Sequence, residues 1–374
     1  MKPVGTAQLA EAVRNAEGPF ELIGAGTKRG LGRPVDATPL DLSAFNKVIA
    51  YEPEELILEC GFAARLSQVQ KLLLKQNQML AFEPPDFSTL LGSKHSGTIG
   101  GALMCNLSGP RRMKAGAARD HILGVSGVNG SGDFIKAGAR VVKNVTGYDV
   151  PRLLAGSYGT LMALTSVTFK VLPKPETEMT LRVKCKTPFE AVTIMSRAMQ
   201  SATEVSSAAF VPGQGAYLRV EGFAASVIDR RDTLIRTLDT KTDCLAEAQS
   251  QDLWAALRDV GPLWKHKFQN IWRVSVPPSD APGFLAALKF DFNYFLDWAG
   301  GLIWLSCKPQ FEASAIRGAI KQGHAMLFRA SEQLRSTSDV FQPQPKELAA
   351  LSARVKHAFD PAGLFNPGRM YKAI

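Results

Sequence analysis

Paired cysteines are missing from this chain. Its five, Cys60, Cys105, Cys185, Cys244 and Cys307, stand far apart, and no two have CxxC spacing. That argues against a zinc knuckle, a redox dithiol or an iron–sulfur cluster held by this chain alone, and no metal ligand set is expected. The thiols read as reduced and mostly buried. Long apolar runs are missing too. The longest stretches, as in Phe284–Trp304, are broken by Lys, Asp or Gly, so none reaches the length of a membrane span. The N-terminal MKPVGTAQLAEAVRN has no apolar core behind its lysine, which argues against a secretory signal. The expectation is a cytoplasmic protein. Charge is not gathered either. The net charge of +10 is spread along the chain, and its tightest basic cluster, Arg111-Arg112-Met113-Lys114, has no interleaved aromatics. A nucleic-acid groove is disfavoured. A solvated face that favours anions or an acidic partner fits better, and the charge permits peripheral attachment at the inner face of the cell membrane.

What is present is an ordinary globular composition: 374 residues, 45% hydrophobic and 21% charged, enough for two or three domains. Periodicity predicts a helix over 8–15 and another over 66–76, where Leu66, Val69, Leu72 and Leu73 repeat at helical spacing. Strands are expected over 20–23, 40–42, 56–60, 122–128, 134–138 and 161–171, and Glu83-Pro84-Pro85-Asp86 is a rigid extended turn. Pro173-Lys174-Pro175 breaks the chain. Beyond it, strands over 180–186, 206–210 and 217–221 with helices over 188–200 and 225–238 form one α+β unit. A second pass follows: strands over 271–276 and 302–307 with helices over 281–288 and 313–321. The two passes look like weakly similar halves of one domain. A last helix, over 346–358, precedes the turn-rich Asp360-Pro361-Ala362-Gly363 and Asn366-Pro367-Gly368.

Two glycine-rich segments carry the chemistry. The first, FELIGAGTKRGLGRP, runs from a strand into Gly24, Gly26, Gly30 and Gly32. Such glycines let the backbone approach a phosphate and aim N–H groups at it. Thr27 adds a hydroxyl, and Lys28 and Arg29 offset phosphate charge. The dinucleotide fingerprint GxGxxG is not met: the third glycine comes one residue late, and Gly32 and Pro34 prevent the helix that should follow. No Gly-Lys-Ser/Thr is present for a Walker loop, and a plain structural loop remains the alternative. The second, GSKHSGTIGGALMCNLSGPRRMKAGAARDHILGV, offers Gly97, Gly100 and Gly101 for a flat ring to lie against, with Asn106 and Ser108 suited to a ring edge that donates and accepts. Small residues dominate 92–109, which reads as too poor in bulk for ordinary core. A third stretch, GYDVPRLLAGSYGTLMALTSVTF, sets Gly147, Gly156 and Gly159 before an apolar strand.

The order IGAGTKRG, PPDFSTLLG, SGTIGGALMCNLSGP, ARDHILGV and GYDVPRLLAGSYGTLMALTSVTFKVLPKP resembles the PCMH-type FAD-binding domain of the vanillyl-alcohol oxidase superfamily, over about residues 3–175. Within it the whole chain is similar to the FAD-binding second (E) subunits of bacterial glycolate oxidases, and HAFDPAGLFNPGRM resembles the ending shared with D-lactate and glycolate dehydrogenases. The resemblance implies an α+β fold: a two-subdomain FAD domain over 1–175, a smaller α+β cap-like domain over 176–330, and a tail over 331–374 that returns to the FAD domain. It implies that Gly24, Ala25, Gly26, Thr27, Lys28, Arg29 and Gly30 form the pyrophosphate loop, and that Pro84, Pro85, Asp86 and Ser88 lie along the cofactor. Thr98, Gly100, Gly101, Asn106, Ser108 and Gly109 would contact the pyrophosphate–flavin region. Arg119, Asp120, Gly159, Thr160, Leu161 and Thr165 would help close the site. Some members bond flavin to a His near the first loop. Here Thr27-Lys28-Arg29 stands there and His95 is the nearest His, so the FAD is expected to be non-covalent.

Oxidising a 2-hydroxy acid needs a cation for the carboxylate and a base for the hydroxyl proton near the flavin. Related D-2-hydroxy-acid dehydrogenases carry an HxGDGNxH-type motif in the second domain. This chain reads GGLIWLSCKPQ in that region, and His266, His324 and His357 are isolated. The remaining candidates are Arg273, Lys265 and Arg369. The chain is therefore expected to be an FAD-dependent oxidoreductase subunit of a glycolate-oxidising complex. Its partners would be a second, catalytic flavin subunit and an iron–sulfur subunit. The alternatives are a self-sufficient 2-hydroxy-acid dehydrogenase and a non-catalytic scaffold.

Overall fold

A computed structural model of the chain describes residues 1–138, 147–265, 270–309 and 313–372. His266 lies outside the described residues. The chain forms two compact units: Met1–Ser108, Ala117–Lys174 and Arg335–Ile374 make one, Gly109–Gly116 and Pro175–Leu334 the other.

In the first unit a helix, Thr6–Arg14, buries Leu9, Ala10, Ala12 and Val13 and leads into β1 (Phe20–Ile23), which pairs in parallel with β2 (Thr38–Asp41). Strands β3 (Val48–Glu52) and β4 (Ile57–Gly61) form a hairpin, followed by the helix Leu66–Leu74, whose Leu66, Val69 and Leu73 are buried at the expected spacing. Then come β5 (Gln78–Met79), the short helix Ile99–Met104, β6 (Ile122–Val128), β7 (Phe134–Gly138), β8 (Ala163–Lys170) and β9 (Leu172–Pro173). The main sheet is antiparallel, in the order β3-β4-β8-β6-β7. Strand β8, central, is buried along nearly its whole length, its three hydroxyl residues Thr165, Ser166 and Thr168 included. The periodicity reading did not find β3. It is an edge strand with a bulge, and its Val48 and Ile49 face solvent, so no alternation marks it.

One expectation is overturned here. The stretch read as too small for core is core: Ile99, Ala102, Leu103 and Met104 all lie in the unit's principal hydrophobic cluster with Phe62, Leu66 and Val167. A Cβ on Gly100 would collide with the Phe62 ring. That glycine lets a helix and an aromatic ring pack closely, instead of presenting a surface to a flat ligand.

The second unit is one eight-stranded sheet made of two halves. The first half is β10 (Thr177–Val183), helix Pro188–Gln200, β11 (Ser207–Val211), β12 (Gly215–Gly222), helix Ala224–Leu238 and β13 (Thr242–Leu245). The second is β14 (Asn270–Ser275), helix Ala281–Ala287, β15 (Phe292–Asp297), β16 (Leu302–Cys307), helix Ala313–Gly318 and β17 (His324–Arg329). The sheet order β13-β10-β12-β11-β15-β16-β14-β17 gives each half the order fourth, first, third, second, joined through the two second strands at Phe210 and Leu296. Each half is thus a split βαββαβ unit, and the weak similarity of the two passes has a structural counterpart.

The basic cluster is solvated only in part: Met113 and Lys114 are exposed, while both arginines are partly buried. Residues 109–116 go with the second unit, where Arg111 donates to both carboxylate oxygens of Glu221 (Nε–Oε1 2.8 Å, Nη2–Oε2 2.7 Å) and lies 3.6 Å from Glu178. The Arg112 guanidinium stacks over Trp298, and Lys114 pairs with Glu204 at 3.1 Å.

Candidate functional site

The first unit holds an open cleft whose empty space, solvent included, is about 700 Å³. Four stretches wall it: the end of β1 and the turn to Arg29; Thr98, Gly101, Met104 and Cys105; Tyr158, Gly159, Met162 and Leu164; and Asn366 with Arg369. Gly26 takes φ +71°, a left-handed turn that glycine adopts without a Cβ penalty. Thr98 caps the helix Ile99–Met104, its Oγ1 accepting from the Gly101 N–H at 3.1 Å.

The cation of the cleft is Lys28. It is half-buried, and among the described residues its ammonium makes no hydrogen bond or ion pair. Glycine floors it: a Cβ on Gly97 would collide with Nζ, and one on Gly101 would stand 3.5 Å away. Burial pushes the Lys28 ammonium below its ordinary pKa against the weaker pull of Cys105 and Asp86. A diphosphate set beside it would reverse that cost. Cys105, also in the wall, is pushed up to about 11 by burial, so its thiol stays protonated near neutrality. An unpartnered ammonium over a glycine floor, with apolar walls at Leu22, Ile23, Met162 and Leu164, fits the diphosphate and ring system of FAD.

Over 358 residues the chain is 32% identical to the glycolate oxidase subunit GlcE of Escherichia coli (strain K12), covering 95% of this chain and 93% of that one. The chain belongs to the FAD-linked oxidases. The family model for the FAD binding domain matches residues 1–138, and that for the C-terminal domain of FAD linked oxidases matches residues 312–370. This FAD-linked oxidase is also 26% identical to the glycolate oxidase subunit GlcD of Bacillus subtilis (strain 168), over 78% of this chain and 70% of that one. Its fold is that of p-cresol methylhydroxylase with substrate bound, with TM-score 0.67, 15% identity, and coverage of 99% of this chain and 88% of that one. It is an FAD-dependent oxidoreductase of the group that oxidises hydroxy acids.

The structure sorts the expected site residues of this oxidase. Gly24, Ala25, Gly26, Thr27, Lys28, Thr98, Gly101 and Gly159 line the cleft. Arg29 lines it too, but its guanidinium is held by Glu21 (Nε–Oε1 3.0 Å, Nη2–Oε2 2.5 Å). Gly30 lies against Leu91. Pro84 and Pro85 are buried, and the Asp86 carboxylate accepts from the Ser88 N–H at 3.1 Å. Asn106 and Ser108 brace the backbone: their side-chain oxygens accept from the N–H groups of Arg119 (3.2 Å) and Ala118 (2.9 Å). Gly109 belongs to the second unit, its carbonyl accepting from Trp298 Nε1 at 3.0 Å. Arg119 is exposed, and Asp120 accepts from the Ala117 N–H. Thr160, Leu161 and Thr165 are buried, with the two hydroxyls donating to the Ser157 and Ser126 carbonyls. His95 and His357 are exposed.

Of the substrate-group candidates, Lys265 and Arg273 stand in the second unit. Arg369 is buried in the first, donating to Glu21 at 2.7 Å and to the Arg29 and Leu31 carbonyls at 3.2 and 3.3 Å. Among the lining residues that the motif reading missed is Asn366. Its only sequence signal was the turn Asn366-Pro367-Gly368. Among the described residues, no group of three or more His, Cys, Asp or Glu side chains is placed to hold a metal. No helix among them is long and apolar enough to cross a membrane.

Proposed function

We propose that this chain is the FAD-binding subunit of a multi-subunit enzyme that oxidises glycolate or a similar 2-hydroxy acid to the 2-oxo acid. It works beside a second flavin subunit and, as the sequence resemblance implies, an iron–sulfur subunit, in the cytoplasm or at the inner face of the membrane. The observation that carries the reading is the near full-length similarity to a protein named as a glycolate oxidase subunit. The cleft supports it. When bound, FAD supplies a two-electron acceptor for the alcohol's hydride equivalent. The chain's own residues hold it. Lys28 neutralises diphosphate charge and Gly24 to Gly26 bring backbone close; with no His in the first loop, the flavin is held without a covalent bond. Purified alone and loaded with FAD, the chain should not be bleached anaerobically by glycolate or D-lactate. Co-purified with its partner subunits, the complex should be, with two flavins per assembly.

A second reading, turnover by the chain alone, draws on the second unit. Two guanidiniums lie over Trp298, Arg112 at 4.5 Å and Arg273 at 5.1 Å from the ring centroid. Beside them, desolvation and both arginines hold His324 below its ordinary pKa. Paired arginines are carboxylate-recognising chemistry. Flavin bleaching by glycolate in the absence of any partner would decide for this reading.

A further inference from the structure

We infer that the C-terminal segment Leu364–Arg369 is a clasp that shapes the cofactor loop, so that its docking and FAD binding reinforce one another. This rests on the cleft of the first unit being the FAD site. The segment lies along β1: the Phe20 N–H donates to the Leu364 carbonyl (2.7 Å), the Asn366 N–H donates to the Phe20 carbonyl (2.9 Å), and Phe20 and Phe365 form a parallel bridge. Two side chains then grip the cleft. Asn366, buried with φ +43°, accepts from the Leu22 N–H at 2.9 Å and donates to the carbonyls of Tyr158 (2.8 Å) and Gly159 (3.2 Å). One amide thus ties two walls together. Arg369 crosses beneath the loop to Glu21 and to the Arg29 and Leu31 carbonyls, and its own carbonyl accepts from the Arg33 N–H at 2.8 Å. A Cβ on Gly32 would stand 2.8 Å from that carbonyl, so the glycine gives the tail room to pass.

Neither side chain needs to touch the cofactor; both are positioning residues. A left-handed asparagine is strained backbone that persists only where its surroundings hold it. By linkage, a ligand that binds only the ordered loop stabilises the docked tail by the same factor. The test uses the full chain. Trypsin cleavage after Arg369 requires the clasp to open, so appearance of the Arg369 C-terminus, whether or not the exposed Lys372 has been cut first, reports its docking. FAD should slow that cleavage at least tenfold in the wild type. In Arg369→Met and Asn366→Ala the dissociation constant for FAD should rise at least tenfold, measured well below each variant's melting temperature. Arg369→Lys should recover part of the loss. Equal cleavage with and without FAD, in a wild type that binds FAD, overturns the clasp. So do variants that bind FAD as the wild type does. If the variants do not fold, the wild-type cleavage rates decide alone. A wild type that binds no FAD sinks the assignment of the cleft instead.

Discussion

Lys28 concentrates the electrostatics of the cleft in one side chain. Its ammonium has a glycine floor and, among the described residues, no hydrogen-bond or ion-pair partner, so binding a diphosphate would form charge-assisted hydrogen bonds without breaking any of those described. Such bonds contribute about 1.5–3 kcal/mol, and Lys28→Met should weaken FAD binding by roughly 10- to 100-fold, read from quenching of flavin fluorescence. The sign of the pH dependence follows. Burial lowers the Lys28 pKa from 10.5, so the free protein loses this charge at lower pH than an exposed lysine would. FAD affinity should therefore fall as pH rises through the alkaline range, and Lys28→Met should flatten that slope. Gly100 makes the opposite point. It was read as a surface for a ring, yet Phe62 occupies the space above it. Gly100→Ala should destabilise the protein by about 1–3 kcal/mol through overpacking, with Phe62→Leu restoring part of the loss in urea unfolding. Sequence order exposed both residues as glycine-segment members. Only the three-dimensional neighbour separates a binding glycine from a packing one.

Elements show the same division. Strands whose apolar pattern is strong, such as β6 and β16, are legible in the chain at their observed bounds, and so is the helix Pro188–Gln200, which opens with a Thr187/Glu190 capping box. The helix Glu247–Arg258 was not read. It buries only Ser250, Trp254 and Leu257, and a buried polar position hides the stripe. The excursion 109–116 was misread for a related reason. Arginines look solvated until their carboxylates are found, and Glu178 and Glu221 lie far along the chain. Arg111 is now a nearly buried ion pair, and removing one partner of such a pair costs about 3–5 kcal/mol. Arg111→Met should lose stability of that order. Arg111→Met with Glu221→Gln should lose less, because Glu178 is then the one carboxylate of the two left short of the Arg111 cation. Urea midpoints of the two single variants and the double variant measure the coupling.

At the scale of the whole chain, the two units carry carboxylates with opposite acid responses. Burial pushes Glu21 up, but hydrogen bonds from Arg29 and Arg369 outweigh it and hold its pKa below 4.5. Its contribution to the first unit is complete above that value and is lost as pH falls through the lowered pKa. Burial raises Glu178 above 4.5 despite Arg219, Ser250 and Arg111. The folded second unit therefore binds this proton first, and its stability gains as pH falls through the raised value towards 4.5. Each unit has its own core and strand system, so heating should give two calorimetric steps. Only the first unit contains the cleft. FAD at a hundred times its dissociation constant should add about 2.7 kcal/mol to that unit's stability and raise that step alone. On acidification below 4.5 the same step should fall, and Glu21→Gln should blunt the fall. A single step that FAD and acid move as one would show instead that the chain unfolds as one cooperative body.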